Sequence, residues 1–219
     1  MNTNNNNRVT ITGIISEPFV FDHEVYGKVF YASKVDVMRR SNTVDEIPLI
    51  VSGELLDTDA DYVGQLLQIH GQFRSHNVVE GQRRRLQLFL YVQELHLLLP
   101  DTFVQRHKNN NLSLNGFICR KPIYRESKSG RKICDILLAV NREYKSDYLP
   151  CIAWGHNAVI ASTLEVGTML QIQGRIQSRA YIKVQDDGLS ENRVAYEVSI
   201  SAMSHLPAGT ELAAGEENV

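Results

Sequence analysis

Apolar and polar side chains alternate through most of this chain, a period of two that predicts half-buried strands rather than helices. The clearest case is Leu67-Gln-Ile-His-Gly-Gln-Phe-Arg-Ser-His76. The same pattern returns as Leu170-Gln-Ile-Gln-Gly-Arg-Ile-Gln-Ser-Arg179, with five of ten residues identical at an offset of 103. That offset also pairs Gly13 with Gly116, Gly27 with Gly130 and Gly64 with Gly167, and an offset of 102 pairs Pro48 with Pro150 and Gly53 with Gly155. One strand match arises by chance, but an ordered series of landmarks does not. The chain is an internal duplication.

Each copy predicts the same series of elements. A first strand (Val9 to Ile15; Leu112 to Ile118) leads into a turn with Pro18 or Pro122. A second strand (Lys28 to Met38; Arg131 to Asn141) follows a glycine turn, and a third (Ile47 to Val51; Leu149 to Trp154) ends on glycine. A short helix (Glu54 to Leu66; His156 to Leu164) precedes the shared fourth strand, and a charged loop leads to the last strand (Leu86 to Leu95; Val194 to Ala202). Five strands with a helix between the third and fourth is the order of an OB-fold. The expected architecture is all-β: two tandem OB-folds, each a five-stranded Greek-key barrel with a short helix between strands 3 and 4. We expect a disordered tail over 1–8, a first barrel over 9–101, a polar linker over 102–111, a second barrel over 112–207 and a loose acidic tail over 208–219.

A chain of 219 residues with 43% hydrophobic content can fill two cores. No run approaches the length of a membrane span, and Met1 to Asn7 lacks the basic and apolar regions of a signal peptide, so a cytoplasmic place is expected. The three cysteines, Cys119, Cys134 and Cys151, lie in strand patterns without metal-type spacing and are expected to be buried thiols. The seven histidines form no metal-binding motif, and the phosphate-loop and nucleophile-elbow patterns are absent from the sequence. An enzyme, a metal, a cofactor and a small-molecule substrate are therefore not expected.

Net charge is −2 but segregated. Residues 1–119 carry 11 Lys/Arg against 13 Asp/Glu, residues 120–183 carry 11 against 5, and residues 184–219 carry 1 against 7. A basic middle beside an acidic end points to a polyanionic partner. In the basic region Tyr144, Tyr148, Trp154 and Tyr181 fall near strand edges, interleaved with Arg142, Lys145, Arg175, Arg179 and Lys183. Flat rings stack on bases and cations track phosphates, the combination that single-stranded nucleic acid requires. The other reading is that these rings pack a core. Lys128, Arg131 and Lys132, in the turn joining the first two strands, suit phosphate contact or a solvated turn equally.

On these residues the second copy resembles the bacterial single-stranded DNA-binding protein family. The matching segments are Asn115-Gly-Phe-Ile118 with Pro122, Ile136-Leu-Leu-Ala-Val-Asn-Arg142, Tyr148-Leu-Pro-Cys-Ile-Ala-Trp-Gly155, and Gly167 through Tyr181. The resemblance implies non-enzymatic, largely sequence-independent binding of single-stranded DNA in replication, recombination or repair, with Tyr144, Tyr148, Trp154 and Tyr181 stacking on bases. It also implies a homodimer with four barrels, and replication or recombination proteins as partners. The alternative is a primosome-type assembly module that binds DNA weakly, and an RNA-binding module is a third. The first copy has Ser41, Glu46, Ser52 and Val78 near the corresponding places, so it lacks that aromatic set. It is expected to bind weakly through Arg39, Arg40, Arg74 and Arg83 to Arg85, or to serve assembly. The family's Gly/Pro/Gln-rich extension with a terminal Phe has no counterpart in Glu211 to Val219, so recruitment through such a tip is not expected.

Overall fold

The computed structural model describes residues 6–57, 59–80, 83–184 and 190–206, with backbone alone for Glu80, Arg83 and Arg84. Most of the expected N-terminal tail and all of the acidic tail 208–219 lie outside the described residues. The first copy supplies β1 (Asn7–Ile15), β2 (Val20–Val25), β3 (Lys28–Met38), β4 (Val44–Ser52), β5 (Leu66–Glu80) and β6 (Arg83–Leu97). The second supplies β7 (Asn110–Ile118), β8 (Ile123–Glu126), β9 (Lys132–Asn141), β10 (Ser146–Trp154), the helix α1 (Gly155–Ser162), β11 (Met169–Val184) and β12 (Ser190–Leu206).

Alternation closes each copy into a barrel. In the first, β3 pairs with β4, β4 runs parallel to β6, β6 pairs with β5 and β5 with β1. β1 then returns to β3 through Ile14–Asp36 and Ile15–Val35. The second copy repeats this circuit through β9, β10, β12, β11 and β7, closing at Phe117–Ala139. Inward positions fill the cores: Ile11, Val35, Leu49, Ile69, Phe73 and Leu90 in one, Leu114, Leu138, Leu149, Ile172, Ile176 and Val198 in the other. Cys134 and Cys151 belong to the second core and Cys119 is half-buried. Burial pushes all three thiols up in pKa, away from the reactive thiolate.

The duplicated glycines keep their duties. Gly64 and Gly167 both have positive φ, 80° and 91°, just before the fourth strands. Gly71 and Gly174 sit at register shifts in the β5–β6 and β11–β12 ladders. A Cβ there would stand 2.2 Å from the Tyr91 carbonyl oxygen or 2.4 Å from that of Ser199.

β2 and β8 add a short strand to each copy beyond the expected series, pairing outside the closed circuit with β3 and β9, and one expected element takes another form. The helix foreseen over Glu54 to Leu66 is a single 3-10 turn, Gly53–Leu55, followed by a loop. Asp57 and Asp61 explain it, because their carboxylates accept from the backbone N–H groups of Asp59 (3.1 Å) and Val63 (2.9 Å). Such local bonds compete with helical ones. The second copy has no aspartates in that stretch and forms α1.

The barrels are joined edge to edge. β1 pairs antiparallel with β7 from Asn7–Leu114 to Ile11–Asn110, with Val9 opposite Leu112 at the centre. Since Leu112 is Val9 displaced by 103, this is a pseudo-twofold axis. The asparagine contacts near it recur in reversed roles. Asn7 donates to the Phe73 carbonyl (2.6 Å) and accepts from the Phe73 N–H (3.0 Å); Asn110 does the same with Ile176 at 2.7 and 3.0 Å. Asn6 donates to the Asn141 carbonyl and Asn109 to the Met38 carbonyl. Asparagines that composition assigns to tail and linker thus satisfy backbone groups between and within the barrels.

Replacing Asn110 by Ala strands both backbone groups of buried Ile176. The expected loss is about 1–3 kcal/mol in urea unfolding. Asn111→Ala, whose amide reaches only the Lys108 carbonyl at the surface, is expected to stay within about 0.5 kcal/mol of the parent chain.

Candidate nucleic-acid interface

A groove of about 810 Å³ crosses the second barrel. The end of β10 gives Ile152 and Trp154, β11 gives Arg175, Gln177 and Arg179, and β12 gives Glu197 and Ser199. Arg125 and Arg131 border it from β8 and the β8–β9 turn. Trp154 donates from its indole nitrogen to the Ser199 hydroxyl at 3.2 Å, which fixes the ring at the groove wall. Arg125 is held by Asp135 at 2.8 Å.

The strand period places the rest of the expected set. Tyr148 lies on the same outward face of β10 as Trp154, six residues away or about 20 Å along the strand. Tyr181 and Lys183 continue the face of β11 that carries Arg175 and Arg179, and the Arg179 guanidinium lies 5.9 Å from the Tyr181 ring centre. Lys128 and Lys132 are exposed at the β8–β9 turn without lining the groove. Tyr144 is 90% exposed, Tyr148 43%, and Trp154 and Tyr181 37% each, so none of the four rings is a core side chain.

Arg142 and Lys145 point elsewhere. With Tyr144 they form the β9–β10 hairpin tip, which reaches the first barrel. There Arg142 pairs with the buried Asp147 at 2.8 Å. Asp147 in turn accepts from the Ser75 N–H of β5 at 2.9 Å. The first barrel returns the gesture. Arg39, at the β3–β4 tip, clasps the buried Asp45, which accepts from the Ser178 N–H of β11 at 2.6 Å. Arg39 also donates to the Ser178 carbonyl at 2.9 Å.

Arg39 therefore lines the second barrel's groove, not its own. Its charged form is favoured by Asp45, which raises its pKa despite partial burial. Arg175 is shifted the other way, by burial first and then by the neighbouring Arg39 charge. The two guanidiniums therefore repel each other across this part of the groove.

A second groove, of about 850 Å³, crosses the first barrel at the pseudo-equivalent place. The positions matched to the family aromatics are indeed non-aromatic, yet other strands supply rings: Phe30, Phe89 and Tyr91, with His23 stacked on Phe30 at 4.8 Å. Arg74 lies over Tyr91 at 3.8 Å and is depressed in pKa by burial and then by Arg142, the mirror of the Arg175–Arg39 pair. Sequence reasoning missed these rings and Arg125. The signals were present: Phe89 and Tyr91 alternate on one face of β6, and Arg39 is Arg142 displaced by 103.

Two closed barrels joined at their first strands, each with a cationic groove bearing rings, define a tandem OB-fold protein. A model of the single-strand binding protein family matches residues 109–206. Over 80 residues the chain is 34% identical to a single-stranded DNA-binding protein of Enterococcus faecalis and 31% identical to single-stranded DNA-binding protein B of Bacillus subtilis. These alignments take 33% of this chain, and 43% and 71% of the respective relatives. The chain thus spans less than half the length of the first of them. The wild-type single-stranded DNA-binding protein of Thermus aquaticus matches in fold, with a TM-score of 0.71 and 19% identity over 97% of this chain and 98% of that one. The chain belongs to the single-strand binding protein family.

The two kinds of arginine separate by stability. Arg39→Ala leaves Asp45 buried without its cation and is expected to cost about 3 kcal/mol. Arg179→Ala, on the open face, is expected to change stability by less than about 0.5 kcal/mol. Urea unfolding of both variants checks this difference.

Proposed function

We propose that this chain binds single-stranded DNA without marked sequence preference and performs no chemistry on it. The observation that carries this is the second barrel's groove, where Trp154 stands among Arg39, Arg131, Arg175 and Arg179. A flat ring offers a base about 1–3 kcal/mol of stacking, and the arginines meet phosphates whose counterions leave on binding. Tyr148 extends the track along β10, and Tyr181 and Lys183 extend it along β11. Lys128 and Lys132 flank its mouth. Arg142, Tyr144 and Lys145 serve the same strand where it leaves the second barrel, because their hairpin borders the first barrel's groove. The family names support DNA as the ligand. Two such chains pairing would give four barrels, and replication or recombination proteins and a nucleoid-associated cytoplasmic place follow from the same reading.

Trp154 is the only tryptophan of the sequence, so its fluorescence reports this groove alone. Adding oligo-dT is expected to quench it. In anisotropy titrations with a labelled oligo-dT, Trp154→Ala is expected to lose about 1–3 kcal/mol, roughly 5- to 150-fold in affinity. The affinity of the parent chain is expected to fall linearly with salt on a log–log plot, with a slope near −0.7 per phosphate contact. Unquenched Trp154 at saturating oligo-dT, or full affinity in Trp154→Ala, removes this site from the reading.

A further inference from the structure

Two of the histidines scattered in sequence meet in space. On the outer face of the first barrel, His70 of β5 stands directly opposite Glu94 of β6, and His96 follows two residues along β6, opposite Gln68. One ligand atom from each of the three lies within 4.8 Å of the other two. His96 Nε2 and Glu94 Oε2 are 3.6 Å apart, and the two imidazole centres are 6.0 Å apart. We propose that His70, Glu94 and His96 bind a transition-metal ion of the Zn2+ class.

Chemistry selects that class. Two imidazoles and one carboxylate suit Zn2+, Co2+ or Ni2+, whereas Mg2+ and Ca2+ require oxygen ligands. Metal–nitrogen bonds of about 2.0–2.1 Å in a tetrahedral site place ligand atoms about 3.4 Å apart. The Glu94–His96 pair is already near that separation, and His70 closes the set by a small rotation on a fixed ladder. Its ring is oriented in advance. The Thr10 hydroxyl meets His70 Nδ1 at 3.0 Å, which leaves Nε2 for the ion. With the metal on Nε2 the ring proton sits on Nδ1 and donates to Thr10 Oγ1, the usual outer hydrogen bond of a metal-bound imidazole. His96 and Glu94 are more than half exposed, so ions reach the site and a fourth position stays open to water.

The duplication supplies an internal contrast. In the second ladder the same places hold Gln173 opposite Ala202 and Ser204 opposite Gln171. All three ligands are missing there, so the site belongs to the first barrel alone. It lies on the outer sheet face, away from both grooves, and its test is independent of DNA.

Isothermal titration of the full chain with ZnCl2, after EDTA treatment and buffer exchange, is expected to saturate near one ion per chain, with Mg2+ unable to compete. A bound ion that recognises the folded ladder raises the melting temperature by mass action. His70→Ala and His96→Ala are each expected to weaken Zn2+ binding about tenfold or more and to abolish the thermal shift, while His156→Ala changes neither. Melting each variant in EDTA shows that it is folded, and the substitution of exposed His96 is expected to leave that value near the parent's. Absence of saturable Zn2+ binding by the parent chain, or undiminished binding in the His70 and His96 variants, overturns the proposal.

Discussion

The antiparallel pairing of β1 with β7 is the constraint on which the rest of the molecule depends. Strand pairing fixes register, because a slip of one residue would turn every side chain to the wrong face. Val9 opposite Leu112 therefore sets where each barrel stands relative to the other. From that register follow the positions of Asn7 and Asn110 against the fourth strands. The reach of each hairpin tip to Ser75 or Ser178 follows as well. The buried Asp45 and Asp147 enforce the arrangement, since a carboxylate hidden from water needs its arginine and its N–H donor in place.

This geometry shares the grooves between the copies. Arg39 is made by the first copy and serves the second; Arg142 does the converse. Each groove then contains one close pair of guanidiniums, Arg39 with Arg175 or Arg142 with Arg74, of which one member is paired with a buried carboxylate and the other is not. The unpaired member, Arg175 or Arg74, is destabilised as a cation by burial and by its neighbour. A phosphate is the natural complement to such a pair. Shape and charge therefore act together, because rings and guanidiniums line the same grooves.

Much of this was legible in the alternation of side chains. The five strands that close each barrel and the glycine landmarks follow from period and offset, whereas β2 and β8 do not. What escaped is tertiary. Asp57 and Asp61 melt an expected helix through bonds that composition does not display. Asn109 and Asn110 look like linker residues, because polarity is the same whether a side chain faces water or a buried carbonyl. The rings of the first groove sit on strands other than those the family comparison indicated. His70 and His96 are far apart in sequence, and only the β5–β6 ladder makes them neighbours.

Joining the two barrels in one chain also changes what kind of equilibrium their contact is. Two separate barrels meeting at β1 and β7 would come apart on dilution, and every substitution would appear on both sides of the axis. Within one chain the contact is intramolecular, so its occupancy does not depend on protein concentration. Each side is also free to change without its counterpart. His70 beside Glu94 on one half, and Gln173 beside Ala202 on the other, show that freedom in use: a symmetric framework carrying two surfaces with different chemistry.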